Sequence, residues 1–143
     1  MGKLVLLRHG QSIYNKENLF TGWTDVDQSE EGREEVQKAG KILYKNSLFP
    51  DICFTSWLKR AIHTAQITLR EMVWEHTDCI KSWKLNERHY GAWQQHNKDA
   101  IRKEVGERKL FCRYAVDMPH PRRCSRETPA FPTTTPNIPH WIA

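Results

Sequence analysis

Three features of this 143-residue sequence predict an α/β layered fold with a mostly parallel sheet. Short apolar runs of strand length occur at Lys3–Leu7, Asp51–Thr55 and Cys79–Trp83. Amphipathic segments of helix length lie between them, and the two kinds alternate along the chain. Such alternation places parallel strands beneath covering helices.

Lys3–Leu7 reads as a strand buried on both faces, because its apolar run shows no polar alternation. A polar loop follows from Arg8 to Gln28. A helix of about 15 residues is expected near Glu31–Tyr44, with Ser29 as its N-cap and Val36, Ala39, Gly40 and Leu43 on one face. Asp51–Thr55 is the second strand. Ser56 then caps a helix that turns Leu58, Ala61, Ile62, Ala65 and Leu69 inward, and His63 on it is assigned to packing or surface. Cys79–Trp83 is a weaker third strand, followed by a loop and a helix after Asn97. The tryptophans at 23, 57, 83 and 93 read as packing residues. Six of the seven prolines fall in residues 111–143, and proline removes a backbone donor and fixes φ. The chain therefore divides into an α/β unit at 1–110 and an irregular, Pro-rich tail at 111–143.

Composition narrows the function. With 22 basic and 17 acidic residues the net charge is +5, and the basic residues are scattered, so a nucleic-acid tail is not indicated. No apolar run approaches membrane-spanning length, which points to a cytoplasmic protein with neither signal nor membrane anchor. The four cysteines form no Cys-x-x-Cys pair and read as free thiols. No His or acidic spacing suits a metal.

Ligands of open α/β sheets bind at the carboxyl ends of the strands. Here those ends carry Arg8-His9-Gly10, then Thr55-Ser56 leading to Arg60, then Asn86-Glu87-Arg88-His89-Tyr90. A neutral imidazole is a nucleophile near pH 7, and attack on phosphorus splits a hard transfer into two easier ones. The transferring oxygens need fixed cations, which Arg8, Arg60 and Arg88 supply as planar donors. Glu87 can give and take the proton of a substrate hydroxyl. Asn15, Thr21 and Gly22 offer neutral phosphate ligands. Taken singly, each feature has a plainer reading: a strand-end histidine, a surface Glu–Arg pair, ordinary turn residues.

Together the stretches LVLLRHG (4–10), NKENLFTGWTDV (15–26), TSWLKRAIHT (55–64) and SWKLNERHYGA (82–92), ending with Asn97-Lys98, closely resemble the cofactor-dependent phosphoglycerate mutases of the histidine phosphatase superfamily. The resemblance implies a three-layer mutase-like fold, incomplete at its carboxyl end. It implies that His9 is the phosphorylated nucleophile and Glu87 the proton donor and acceptor. Arg8, Gly10, Gln11, Ser12, Asn15, Thr21, Gly22, Arg60, Arg88, His89, Tyr90, Lys98 and Arg113 would bind the substrate's phosphates and carboxylate. The family interconverts 3-phosphoglycerate and 2-phosphoglycerate in glycolysis and gluconeogenesis, is primed by 2,3-bisphosphoglycerate and uses no metal. Relatives convert bisphosphoglycerate or hydrolyse phosphomonoesters. The resemblance also allows a homo-oligomer acting on a small anionic phosphorylated substrate.

Four departures stand out. The family's Leu after Asp-Val-Asp is Gln28, its Gly-Leu before Asn-Lys is Gln95-His96, and its paired arginines are reduced to Cys112-Arg113. The family's second active-site histidine, in a His-Gly-Asn motif, has no counterpart after Arg113, where His120 and His140 have other neighbours. The alternative reading is a catalytically impaired remnant, or a phosphomonoesterase of the same superfamily, with severely reduced mutase activity expected of the chain as written. Permissible codons for Glu127–Ile138, read one base out of frame, reproduce the family's continuation. This suggests a one-base slip between Pro119 and Glu127.

Overall fold

The computed structural model describes residues 2–106. In chain order it contains α1 (Ile13–Lys16), α2 (Glu30–Lys45), β1 (Cys53–Thr55), α3 (Lys59–Glu71), β2 (Cys79–Lys81) and α4 (Lys98–Val105). Single 3₁₀ turns lie at Trp83–Leu85 and Gly91–Trp93. Strands β1 and β2 are parallel, with Cys53 opposite Cys79, Phe54 opposite Ile80 and Thr55 opposite Lys81. Helix α3 makes the crossover between them and packs against α2, so a parallel sheet with a helical layer is present as expected.

Helix α2 begins where the sequence indicates. The Ser29 hydroxyl accepts the Gly32 N–H at 3.1 Å, satisfying one of the donors that a helix start leaves unpaired. Glu30 and Glu31 in the first turn suit the positive end of the helix dipole. Val36 and Gly40 are buried, with Gly32 a turn earlier on the same side. Helix α4 starts at Asn97, whose side chain accepts from the N–H groups of Asp99 and Ala100.

Five expectations are corrected. Lys3–Leu7 forms no strand, and Leu4 and Leu6 are 83% and 86% exposed. Apolarity records a preference for burial, but a strand also needs a neighbour to complete its hydrogen bonds. Among the described residues, β1 pairs with β2 alone. For the same reason β1 and β2 are shorter than predicted, and Phe54, Ile80 and all of β2 stay exposed. Ser56 does not cap α3. The N-cap position is Leu58, Ser56 Oγ accepts the Leu58 N–H, and the Asp25 carboxylate takes the free Lys59 N–H at 2.7 Å. The buried residues of α3 are Arg60, Thr64, Thr68 and Leu69, so a largely polar stripe stands where Ala61, Ile62 and Ala65 were expected. Trp57 and Trp83 are exposed.

The described residues also include a small core. Phe20 and Ile101 are buried together against Tyr90, Trp93 and Val105, with the Phe20 ring centroid 5.0 Å from Tyr90 and 5.8 Å from Trp93. Gln95 beside it sits at φ +69°, a left-handed conformation that costs a residue with a Cβ about 1–2 kcal/mol. This is the position at which the resembling family carries glycine. Gln95→Gly is therefore expected to raise stability by about 1 kcal/mol, read as a higher denaturation midpoint at unchanged slope. No helix of the described residues is long and apolar enough to cross a membrane.

Candidate active site

The loop carrying His9 is seated by backbone-to-backbone contact with α2. A Cβ on Gly10 would lie 2.1 Å from the Gly32 carbonyl oxygen, and one on Gly32 would lie 2.1 Å from that of Gln11. Only paired glycines allow this approach. The seat is fastened by Ser29 N–H donating to Gln11 O at 2.8 Å, by Ser29 Oγ donating to Gln11 Oε1 and by Gln11 N–H donating to Glu35 Oε2. Ser12 is fully buried and begins α1 with a reciprocal capping box. Its hydroxyl accepts from Asn15 N–H, and Asn15 Oδ1 accepts from Ser12 N–H.

His9 is half-buried, with Nδ1 2.8 Å from the Gly10 carbonyl oxygen. A carbonyl can only accept, so Nδ1 carries the proton and Nε2 carries the lone pair. Burial is the largest influence on the ring and holds its pKa below the usual 6.5. The Gly10 carbonyl opposes this, the charges of Arg60 and Arg8 reinforce it, and Glu87 pulls the other way. Arg8, Arg60 and Glu87 thus lie close enough to bear on the protonation of His9. The nucleophilic form of the ring therefore prevails at neutral pH.

Arg60 is 1% exposed, and its guanidinium is fixed by three acceptors. It donates to Gly22 O at 2.8 Å, Thr24 O at 3.1 Å and Glu87 Oε2 at 3.0 Å. Gly22 has φ +53°, which turns the loop so that these carbonyls reach the guanidinium. Glu87 is held from its other side as well, with Tyr90 Oη donating to Oε1 at 3.0 Å and Trp23 Nε1 donating to its backbone oxygen at 2.6 Å. The first turn of α3 is braced from behind. Gln28 Nε2 donates to Arg60 O and to Thr64 Oγ1, and the Thr64 hydroxyl donates to Arg60 O. His63, assigned to packing or surface, pairs with Asp27 at 2.7 Å.

Arg8, His9, Gln11, Asn15 and Glu35 line a cavity of about 350 Å³. Thr21 is buried nearby in sequence, and its Oγ1 has no hydrogen-bond partner among the described residues. The remaining expected residues are placed differently. His89 accepts Gly91 N–H and stands edge-on to Trp23. Lys98 opens α4 and donates its backbone N–H to Asn18 O. Neither His89 nor Lys98 hydrogen-bonds to His9, Arg60 or Glu87 among the described residues. Arg88 follows Glu87 and is half-buried. Arg113 lies outside the described residues, as do Cys112, Cys124, His120 and His140. No group of three or more metal-binding side chains occurs among the described residues.

Glu35 and Trp23 are partners that the sequence reading missed. Glu35 stands three residues after Gly32 on the same side of α2, a spacing that could have flagged it. The indole donor of Trp23 had no sequence signal, because its acceptor is a backbone oxygen 64 residues away.

The model of the histidine phosphatase superfamily (branch 1) matches residues 4–129. A 2,3-bisphosphoglycerate-dependent phosphoglycerate mutase of Nautilia profundicola is 52% identical over 122 residues, which is 85% of this chain and 53% of that protein. The chain thus spans about half the length of the curated relative it matches. Among solved structures, a phosphoglycerate mutase from Bacillus anthracis str. Sterne is similar at TM-score 0.64 and 25% identity, over 71% of this chain and 44% of that one. A mycobacterial glucosyl-3-phosphoglycerate phosphatase in complex with VO3 is similar at TM-score 0.64 and 28% identity, over 73% and 50%. A histidine seated by paired glycines, with a buried arginine gripping a carboxylate beside it, is thus accompanied by matching sequence over most of the chain, which belongs to the histidine phosphatase superfamily (branch 1).

Proposed function

We propose that this chain carries the phosphoryl-transfer half of a 2,3-bisphosphoglycerate-dependent phosphoglycerate mutase, interconverting 3-phosphoglycerate and 2-phosphoglycerate through phosphorylated His9. The reading includes a cytoplasmic setting and service in glycolysis and gluconeogenesis. The observation that carries it is the His9 tautomer, which leaves Nε2 its lone pair, with the fixed Arg60–Glu87 pair within electrostatic reach of the ring.

The residues present suit a phosphorylated ligand. Arg8, Gln11 and Asn15 bring cationic and amide donors to one cavity, and Thr21 Oγ1 is a buried hydroxyl without a hydrogen-bond partner among the described residues. When bound, 2,3-bisphosphoglycerate supplies the phosphoryl group. His9 Nε2 would be the atom to take up that phosphoryl group, and Glu87 would deliver the proton that the departing oxygen needs as its ester bond breaks. In the return step Glu87 accepts the proton of a substrate hydroxyl. That oxygen attacks phosphorus and the electron pair returns to Nε2. Arg8 and Arg60 hold positive charge next to the transferring group without reorganising, where such charge is most effective. Tyr90 orients the Glu87 carboxyl group, and Trp23 holds the Glu87 backbone.

The test charges the protein with 2,3-bisphosphoglycerate labelled in its phosphates and then adds unlabelled 3-phosphoglycerate. Return of the label to phosphoglycerates is expected. Release of the label chiefly as inorganic phosphate would replace this reading with a phosphomonoesterase, and no loading at all would refute both.

A further inference from the structure

The register of the sheet sets Cys53 directly opposite Cys79, and the chemistry at His9 uses neither. Directly paired residues on parallel strands project to the same face. Neighbouring strands lie about 4.8 Å apart, within the roughly 4.4–6.8 Å between Cα atoms that a disulfide spans. Both cysteines are free. Cys79 is exposed and Cys53 half-buried, so the pair has an accessible member and a sheltered one. Burial, with a hydrogen bond that the Cys53 thiol donates to the neighbouring Cys79 sulfur, pushes the Cys53 thiol up to about 11. Cys53 is therefore a poor first nucleophile, and capping Cys79 removes part of that restraint.

We propose that Cys79 and Cys53 form a thiol–disulfide exchange site for low-molecular-weight disulfides, with Cys79 attacking and Cys53 resolving. The Cys79 thiolate attacks one sulfur of a small disulfide. The small molecule's S–S bond breaks, its first thiolate leaves and takes a proton, and a mixed disulfide remains on Cys79. Cys53 gives its proton to solvent and attacks the Cys79 sulfur. The mixed disulfide breaks, and the second small thiol departs with a proton. Overall, two protein thiols are oxidised and one small disulfide is reduced to two thiols. The new bond ties β1, which leads through Ser56 to Arg60, to β2, which leads to Glu87. The ladder already continues between these arms, with Ser82 N–H donating to Thr55 O.

The test uses the full chain with Cys112→Ser and Cys124→Ser, so that only this pair reacts. The protein is treated with oxidised glutathione, quenched in acid, alkylated and mapped by mass spectrometry. A Cys53–Cys79-linked product lighter by two hydrogens is expected. Cys53→Ser or Cys53→Ala in the same background is expected to accumulate a glutathione adduct on Cys79, roughly tenfold or more above the level seen with Cys53 present, since an intramolecular partner outcompetes a second small thiol. An equally persistent adduct with Cys53 intact would overturn the proposal, as would alkylation of both thiols after treatment or a Cys79–Cys79 dimer as the main product.

Discussion

Arg60→Ala is expected to cause the largest loss of any single substitution in the described residues. The guanidinium is buried and serves three acceptors at once, the carbonyls of Gly22 and Thr24 and the Glu87 carboxylate. Truncation leaves two carbonyls and a carboxylate short of a donor, and breaking a buried charged pair costs about 3–5 kcal/mol. The low end, about 3 kcal/mol, applies here because the Glu87 side chain is 34% exposed and water partly replaces the lost partner. The variant also loses a cation beside the transferring phosphoryl group, which is expected to slow loading of His9 by about 100-fold or more. Arg60→Lys separates the two effects. It keeps the charge but cannot fork to three acceptors, so it should recover loading in part while remaining less stable than the parent. Denaturation midpoints and single-turnover loading rates, measured on both variants, check this. Loading by Arg60→Ala at the parental rate would contradict it.

The second large effect is expected at Glu87→Gln. The amide retains an oxygen that can accept from Tyr90, but its nitrogen then faces the Arg60 donors. The variant also loses its proton shuttle. General acid–base participation is worth about 100- to 10,000-fold, so return of the phosphoryl group to a substrate hydroxyl should fall by about 100-fold or more. Glu87 is also the one charge that raises the pKa of His9. Its removal should therefore lower the pH at which the ring becomes protonated and extend loading further into acid. A pH profile of loading checks the sign, because an acid limb moving upward would contradict the placement of Glu87 beside His9.

Much of the site was legible because its chemistry is local in sequence. Arg8-His9-Gly10, Arg60 and the Glu87–Tyr90 stretch each announce themselves by residue type next to a strand or turn. The structure brings Arg8, Arg60 and Glu87 within electrostatic reach of His9. The helices were legible for a similar reason, since Ser29 and Asn97 are caps that act within three residues. What was not legible depends on distant backbone. Whether Lys3–Leu7 pairs is decided by a neighbouring strand, which no property of Leu4 or Leu6 encodes. Asp25 caps α3 from 34 residues away, and Ser56, the nearer and more obvious cap, is bypassed. The buried stripe of α3 is polar because Gln28 and Thr64 serve the Arg60 carbonyl, and an apolar periodicity rule cannot see this. Gln28 and Gln95 stand where the resembling family has Leu and Gly. The structure gives both a physical meaning: Gln28 is a buried amide braced on α3, and Gln95 a side chain at positive φ.

The most direct test of a phosphorylated His9 is to incubate the protein with 2,3-bisphosphoglycerate and locate bound phosphate by phosphorus NMR and peptide mapping, in parallel with His9→Gln. An acid-labile, alkali-stable phosphate on His9 is expected, absent from His9→Gln and still forming at a pH where an ordinary imidazole is largely protonated, because burial lowers the pKa of the ring. Phosphate on another residue, or an equal signal from His9→Gln, would contradict a covalent role for this imidazole.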